Sequence, residues 1–234
     1  MSSFSSSLIR DTRNDAVDPG AGEYFSANGQ LAARRIGSEV GFMKSFFTVQ
    51  TFHVLPHTNR IVFAGNARLG IATGFPRDVA QTDAQGQPKL DEHQQPIVEH
   101  DVKELPASER FFAGGDTTVR GFALDRIGVR HSPSQPGDTI DQDGFPLGGN
   151  ALVIFNAELR MPVWRGLGVV GFVDTGNVFA RATDIDLGEL RSAVGAGVRY
   201  KSPVGPIRID LGFKVHRQAT EGLTAWFITF GQAF

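Results

Sequence analysis

Cysteine is absent from the 234-residue chain, which excludes disulfides, thiolate metal ligands and cysteine nucleophiles. Long apolar runs are absent too, since no stretch approaches the roughly 18 consecutive apolar residues of a membrane-spanning helix. An excess of one charge is also missing, because 23 Lys and Arg side chains stand against 25 Asp and Glu side chains. This balance implies neither a nucleic-acid partner nor binding to an anionic surface.

Glycine and phenylalanine are abundant, with 28 and 19 residues against only two tyrosines. Many turns and many large apolar side chains favour an all-β chain over a helical one. The mean hydropathy of −0.14 is compatible with a membrane barrel, whose strands alternate lipid-facing and lumen-facing residues. The N-terminus has neither a charged nor an apolar signal region, so we expect a truncated piece of a longer exported protein.

Apolar and polar residues alternate with period two along most of the chain, which is the pattern of half-buried β-strands. The clearest case is 207–215, where isoleucine, leucine, phenylalanine and valine alternate mainly with arginine, aspartate and lysine. A weak strand is expected at 4–9, and clusters of Pro and Gly between the later segments predict antiparallel hairpins. The full strands are predicted at 24–35, 42–55, 60–73, 151–162, 167–180, 191–202, 206–216 and 223–234.

These strands are longer than the roughly 5 or 6 residues common in soluble proteins and suit a membrane barrel. Because hydrocarbon leaves no backbone group unpaired, the sheet must close or be completed by further strands. We predict an all-β fold, namely a single domain over 1–234 that forms an antiparallel transmembrane β-barrel with about eight strands present. A long loop over 74–149 interrupts it, and loops of that length are usually functional or disordered.

The most specific stretch of the loop is 108–122, Ser-Glu-Arg-Phe-Phe-Ala-Gly-Gly-Asp-Thr-Thr-Val-Arg-Gly-Phe. It ends in Val119, Arg120, Gly121 and Phe122. Arg120 is a fixed cation beside a glycine, which suits it to reach one particular carboxylate. The alternative is an ordinary solvated arginine on a surface loop. The polar segment at 81–102 is predicted to be a solvated excursion without chemistry, and a second polar run follows at 132–143.

The 108–122 stretch resembles the long loop of the outer-membrane assembly and translocation barrels, the bacterial surface antigen family of BamA and TamA type. The segment 228–234, with Phe230, Gly231 and Phe234, is similar to the C-terminal recognition signal of outer-membrane barrels. Four other motifs carry the same resemblance, at 10–14, 156–162, 171–179 and 202–210.

The resemblance implies that the loop folds into the lumen and that Arg120 pairs with Asp174, with Glu158 near by. Independently, the alternation places Glu158 and Asp174 on the polar, lumen-side faces of consecutive strands. The alternative is that Asp174 is an ordinary strand-end aspartate and that Glu158 has no special role. The residues expected to support the motif are Gly114, Gly115, Phe172 and Gly176.

The resemblance further implies the C-terminal half of a roughly sixteen-stranded barrel in a bacterial-type outer membrane. Such barrels help nascent outer-membrane proteins insert, or substrates cross, through non-covalent pairing of an incoming strand at a weak seam. The implied partners are the lipid bilayer, nascent outer-membrane or secreted proteins, and periplasmic or accessory subunits. The alternatives are a membrane anchor, a secretion pore for another domain, or an inactive fragment of a longer barrel.

Enzyme chemistry is not expected, because the hydrolase, zinc-protease and P-loop motifs are all missing. The sequence 195–197, Gly-Ala-Gly, lacks a third glycine and lies within an alternating strand. The aspartates at 138, 141 and 143 miss the spacing of an EF-hand loop. We therefore predict no catalytic residue, no cofactor and no metal. A small enzyme on a closed eight-stranded barrel would need a separate polar cluster at the barrel mouth.

Overall fold

A computed structural model describes residues 2–33, 37–38, 40–58, 60–81, 83, 87–91, 93–102, 105–130, 137–203, 205–218 and 221–234. In the described residues, no helix has the length and apolar character to span a membrane. The strands are β1 (Ser3–Asp11), β2 (Gly22–Ala32), β3 (Phe42–Val54), β4 (Val62–Gly74), β5 (Arg77–Ala80), β6 (Val98–Val102), β7 (Ala151–Trp164), β8 (Leu167–Phe179), β9 (Arg191–Ser202), β10 (Gly205–Lys214) and β11 (Thr224–Phe230). They form one nine-stranded antiparallel sheet with the order β1-β2-β3-β4-β7-β8-β9-β10-β11, and a two-stranded sheet of β5 and β6.

The predicted all-β antiparallel class is confirmed, but the large sheet has nine strands rather than about eight. The additional strand is β1, for which only a weak strand at 4–9 was expected. It pairs with β2 along its whole length, from Ser3 opposite Ala32 to Asp11 opposite Tyr24. Its three central serines give a poor apolar pattern, so main-chain pairing rather than side-chain burial defines this strand. Residues 34 and 35 of the predicted strand 24–35 lie outside the described residues.

The last strand ends at Phe230, four residues before the predicted end at 234. Gly231 has a φ of +87°, a left-handed conformation that glycine adopts without strain, and it turns the chain out of the strand. A strand over the whole of 223–234 would place Phe234 on the same face as Trp226. The turn at Gly231 removes Phe234 from that face. Its ring stacks on Phe52 of β3 instead, with 6.4 Å between the ring centroids.

The long loop connects β4 to β7, which are direct neighbours in the sheet, with Ile71 opposite Ala151. Its first part contains the short hairpin of β5 and β6. Its second part returns to the sheet, where Phe111 and Gly149 form an antiparallel bridge. Such a connection leaves residues 105–130 free to pack against one face of the large sheet, and we call this segment the arginine loop.

The two faces of the large sheet differ in what covers them. The face that contacts the arginine loop, called the inner face, carries buried polar residues such as Glu158, Asp174 and Arg208. The other face, the outer face, exposes large apolar side chains on most strands. Trp226, for example, is 68% exposed on that face. An apolar surface of this extent is typical of contact with lipid. Large apolar outer-face residues exposed by more than a third include Phe25, Phe47, Leu69, Phe155, Val173, Val194, Ile209 and Ile228.

Candidate functional site

Arg120 lies in the middle of the inner face and is 1% exposed. Its Nε and Nη2 donate hydrogen bonds of 2.7 and 2.8 Å to the two carboxylate oxygens of Asp174 on β8. Its backbone N–H donates a third bond, of 3.0 Å, to Asp174 Oδ2. Its Nη1 donates to Glu158 Oε1 on β7. The planar guanidinium thus forms a bidentate pair with one carboxylate and is shared with a second.

An aromatic ring and a close backbone approach complete the surroundings of Arg120. The ring of Phe172 lies under the guanidinium, with 3.6 Å between Arg120 Cζ and the ring centroid. A Cβ at Gly195 would come within 2.3 Å of that same ring, so glycine on β9 leaves the space that Phe172 occupies. The sheet is therefore shaped around this one arginine by residues on three strands.

The backbone of the loop is held by side chains of the inner face. Arg68 on β4 donates to the carbonyl of Thr117 at 2.9 Å, and Asn156 on β7 donates to the carbonyl of Thr118. Arg208 on β10 donates to the carbonyl of Asp116 at 3.0 Å. Because donors from three strands reach consecutive carbonyls, the backbone before Arg120 is bound directly to the sheet.

Glycine at two positions lets the loop touch the sheet. Gly121 has a φ of +108°, and a Cβ there would lie 2.7 Å from Ala193 Cβ on β9. A Cβ at Gly212 on β10 would lie 2.6 Å from the backbone nitrogen of Gly121. Loop and strand are therefore in backbone contact, which no larger residue at Gly212 could permit without moving the loop.

Further charged residues surround the pair and balance its charge. Asp210 on β10 accepts from Arg199 on β9 at 2.6 Å and lies 3.6 Å from Arg120 Nη1. Glu158 Oε2 accepts from Arg160 Nε at 2.8 Å, and Arg208 pairs with Asp116 at 2.5 Å. Paired charges of this kind avoid the large penalty of a lone buried ion. The arginine cluster comprises Arg120, Arg160, Arg199, Arg208, Asp116, Glu158, Asp174 and Asp210.

The pKa of Arg120 follows from this environment. Burial by itself would lower that pKa, because it disfavours the charged form. The hydrogen bonds to Asp174 and the charges of Glu158, Asp174 and Asp210 outweigh burial and raise the pKa above its ordinary value. Arg120 therefore stays charged beside the two carboxylates.

The other motif residues of the loop have separate positions. Val119 is fully buried, and Phe122 is 1% exposed. The Arg191 guanidinium lies over the ring of Phe122, with 4.7 Å between Arg191 Cζ and the ring centroid. Gly114 and Gly115 have φ values of +115° and +99° and form the turn before the motif, where Gly115 N donates to the Phe122 carbonyl.

The remaining predicted residues lie on the strands and at the C-terminus. A Cβ at Gly176 would come within 2.7 Å of the Val153 carbonyl oxygen, so the glycine permits close packing of β8 on β7. Phe230 is 76% exposed on the outer face. Phe234, as described above, lies at the inner face with Gly231 as the turning point, so the three residues of the predicted C-terminal signal do not form one surface.

Sequence reasoning assigned no role at the site to several residues that contribute to it. Asn156, Arg160, Arg199, Arg208 and Asp210 all contact the cluster or the loop. Their alternation already put them on the same face as Glu158 and Asp174, which was the available signal. The sequence did not indicate the roles of Gly195 and Gly212, because those roles depend on the close approach of other chain segments.

The cluster fits a structural role better than a catalytic one. Its carboxylates already accept hydrogen bonds from arginines, so they are poorly placed to act as bases or metal ligands. Asp141, considered as a calcium ligand, instead accepts from the backbone N–H of Asp143 and Phe145 and closes a turn. Across the described residues, no group of three or more His, Asp or Glu side chains could hold a metal ion.

The sequence model of the Omp85 superfamily domain matches residues 1–234. The chain is 25% identical over 212 residues to the outer membrane protein assembly factor BamA of Nitratidesulfovibrio vulgaris, covering 88% of the chain and 22% of that protein. It is 24% identical over 232 residues to a SAM50-like protein of Schizosaccharomyces pombe, covering 94% of the chain and 41% of that protein.

A similar fold occurs in a solved structure, the crystal structure of BamA from Haemophilus ducreyi lacking POTRA domains 1–3. The TM-score is 0.70 at 19% identity, and the match covers 98% of this chain and 42% of that one. This chain therefore spans less than half the length of each of these three proteins.

Proposed function

Because the chain belongs to the Omp85 superfamily, we propose that it supplies barrel strands to an outer-membrane assembly machine and helps nascent outer-membrane proteins insert. The proposed mechanism is non-covalent, without catalytic residue, cofactor or metal. An exposed strand edge pairs with the incoming strand, and the arginine cluster keeps the loop fixed to the inner face. The proposed partners are the lipid bilayer, unfolded outer-membrane proteins and accessory subunits.

The exposed edge of β11 is the observation that carries this proposal. β11 pairs with β10 from Thr224 to Phe230, and its other edge has no partner strand among the described residues. Its outer-face residues Trp226, Ile228 and Phe230 are 60% exposed or more, so the free edge lies beside the apolar surface. An unpaired edge at a lipid-facing surface favours pairing with another strand, since bare backbone groups are costly in hydrocarbon.

The test is assisted folding in vesicles. The refolded 234-residue chain is placed in lipid vesicles, an unfolded small outer-membrane barrel protein is added, and its folding is followed by heat-modifiable gel mobility. We expect faster folding than in empty vesicles. We also expect disulfide cross-links between Ile228→Cys on β11 and a single cysteine in the substrate's edge strand, because the chain has no cysteine of its own.

The matched control is Val194→Cys, which also lies on the outer face but on the central strand β9. It should cross-link poorly, because both edges of β9 are occupied by neighbouring strands. A folded chain that neither speeds substrate folding nor cross-links at Ile228 more than at Val194 would contradict the proposal. That result would favour a membrane anchor or a secretion pore.

A further inference from the structure

The last four residues, 231–234, leave the sheet and lie over the inner face, and we call them the C-terminal tail. Gly231 N remains bonded to the Pro206 carbonyl at 2.7 Å, which fixes the point where the tail departs. Gln232 donates to Asp18 Oδ1 at 2.8 Å, and Ala233 is 4% exposed. The tail thus has a defined seat between the last strand and the turn that follows β1.

Arg160 forms one wall of that seat. Its guanidinium lies 5.6 Å from the ring centroid of Phe234 and 5.5 Å from that of Phe52, so it contacts both stacked rings. Its Nη1 donates to the Pro19 carbonyl at 3.4 Å, in the turn that also holds Gln232. Removing Arg160 would therefore weaken both the ring contact and the turn against which the tail packs.

The same arginine reaches the arginine cluster through one carboxylate. Glu158 accepts from Arg160 Nε with Oε2 and from Arg120 Nη1 with Oε1. All three residues are at most 8% exposed, so water screens these contacts little. A continuous series of contacts runs from Phe234 through Arg160 and Glu158 to Arg120.

We propose that Arg160 is a positioning residue that couples the seat of the C-terminal tail to the docking of the arginine loop. When Arg120 is paired, Glu158 is held between two arginines, and Arg160 is held against Phe52 and Phe234. When Arg120 leaves, Glu158 Oε1 loses its partner and turns toward Arg199, whose Nη2 lies 3.6 Å away. That turn draws Oε2 away from Arg160 Nε, so Arg160 loses its fixed orientation. The inference deepens the proposed function and rests on it for its purpose, because the tail continues the edge strand β11.

The test measures how fast a cysteine in the tail reacts. Ala233→Cys is a small change at a buried site, and the chain has no other cysteine. In the refolded 234-residue chain in lipid, a water-soluble maleimide should label this cysteine slowly. Arg160→Met, which keeps most of the side-chain stem, should speed labelling roughly fivefold to tenfold. Arg120→Lys, which does not touch the tail, should speed it in the same direction.

The matched control is Arg126→Met, in the same loop but bonded to the Gly144 carbonyl, outside the series of contacts. It should leave the labelling rate of the tail cysteine unchanged. If Arg160→Met speeds labelling and Arg120→Lys does not, the coupling is refuted and Arg160 acts only locally. If neither variant speeds labelling while the heat-modifiable band persists, Arg160 does not hold the tail.

Coupling must also work in reverse, because linkage between two sites is reciprocal. Phe234→Ala should raise the labelling rate of Val119→Cys, a fully buried position in the loop. An unchanged rate for this loop cysteine would contradict the coupling. None of these measurements uses insertion activity. The inference can therefore fail while the proposed function holds, or hold while the proposed function fails.

Discussion

At the residue scale, Asp174 has more than one task. Besides its two bonds to the Arg120 side chain, it accepts from the backbone N–H of Arg120 and from Asn156 Nδ2 at 2.9 Å. A fully buried carboxylate with four donors cannot be exchanged for a cation without leaving several of those donors unpaired. The Arg120–Asp174 contact is therefore directional and differs from a simple pair of opposite charges.

This directionality predicts the outcome of a charge reversal. Arg120→Ala should destabilise loop docking by about 3–5 kcal/mol, because Asp174 and Glu158 would lose their main counter-charge. The double variant Arg120→Asp with Asp174→Arg should be no better, since an arginine at 174 cannot accept from Asn156 or the loop backbone. Chymotrypsin cleavage within the arginine loop, in protein refolded into lipid, measures docking.

Arg126→Ala is the control for that experiment, because Arg126 lies in the same loop but pairs with the Gly144 carbonyl rather than with the sheet. Its cleavage rate should match that of the unaltered chain. Restoration of slow cleavage by the double reversal would mean that net charge alone, and not the hydrogen-bond pattern, holds the loop.

At the element scale, β9 and β10 are arranged around the loop through glycine. Gly195 leaves room for Phe172, and Gly212 leaves room for the backbone at Gly121. Strand interiors normally disfavour glycine, so its presence at these inner-face positions indicates close approach of another segment. The backbone of the arginine loop at Gly121 thus lies directly against Ala193 of β9 and Gly212 of β10.

Gly212→Ala should accordingly release the loop. The new methyl group would meet loop backbone at 2.6 Å, and backbone cannot rotate away as a flexible side chain can. We expect faster maleimide labelling of Val119→Cys in this background. Gly171→Ala on β8 is the matched control, since a Cβ there meets nothing within 4 Å. Equal labelling in the two variants would show that the loop is not held against β10.

At the scale of the whole molecule, the number of strands determines how the sheet can close. Nine strands that alternate in direction leave β1 and β11 running the same way. Joining these two edges would require a parallel seam. Two copies in the same membrane orientation would also bring their edge strands together in parallel. An all-antiparallel barrel instead requires an odd number of additional strands, as the even strand counts of bacterial outer-membrane barrels illustrate.

We therefore expect no direct pairing of β1 with β11 in the 234-residue chain. Ser7→Cys, combined in turn with Ala225→Cys, Phe227→Cys or Thr229→Cys, should give no intramolecular disulfide in lipid. Ser7→Cys with Asn28→Cys is the positive control, because these residues lie opposite each other in β1 and β2. Efficient disulfide formation between β1 and β11 would demonstrate closure through a parallel seam.

The alternation of side chains was sufficient to predict the class of fold and the face on which Glu158 and Asp174 lie. Period two is a local property that depends only on neighbouring residues, so strand positions could be assigned without the tertiary structure. The strand formed by residues 3–11 was underestimated, because its pairing comes from the backbone and leaves little mark on side-chain composition. Whether 1–234 is a single domain stays a prediction.

Long-range packing determined the rest. The roles of Gly195 and Gly212 depend on other chain segments. Gly212, for example, contacts a loop that lies far earlier in the sequence. Glycine carries no sequence pattern that identifies such a neighbour. The inward course of Phe234 follows from a φ of +87° at Gly231 and from the ring of Phe52 on β3, far earlier in the sequence. A sequence specifies local periodicity directly, whereas contacts between distant segments exist only once the sheet brings them together.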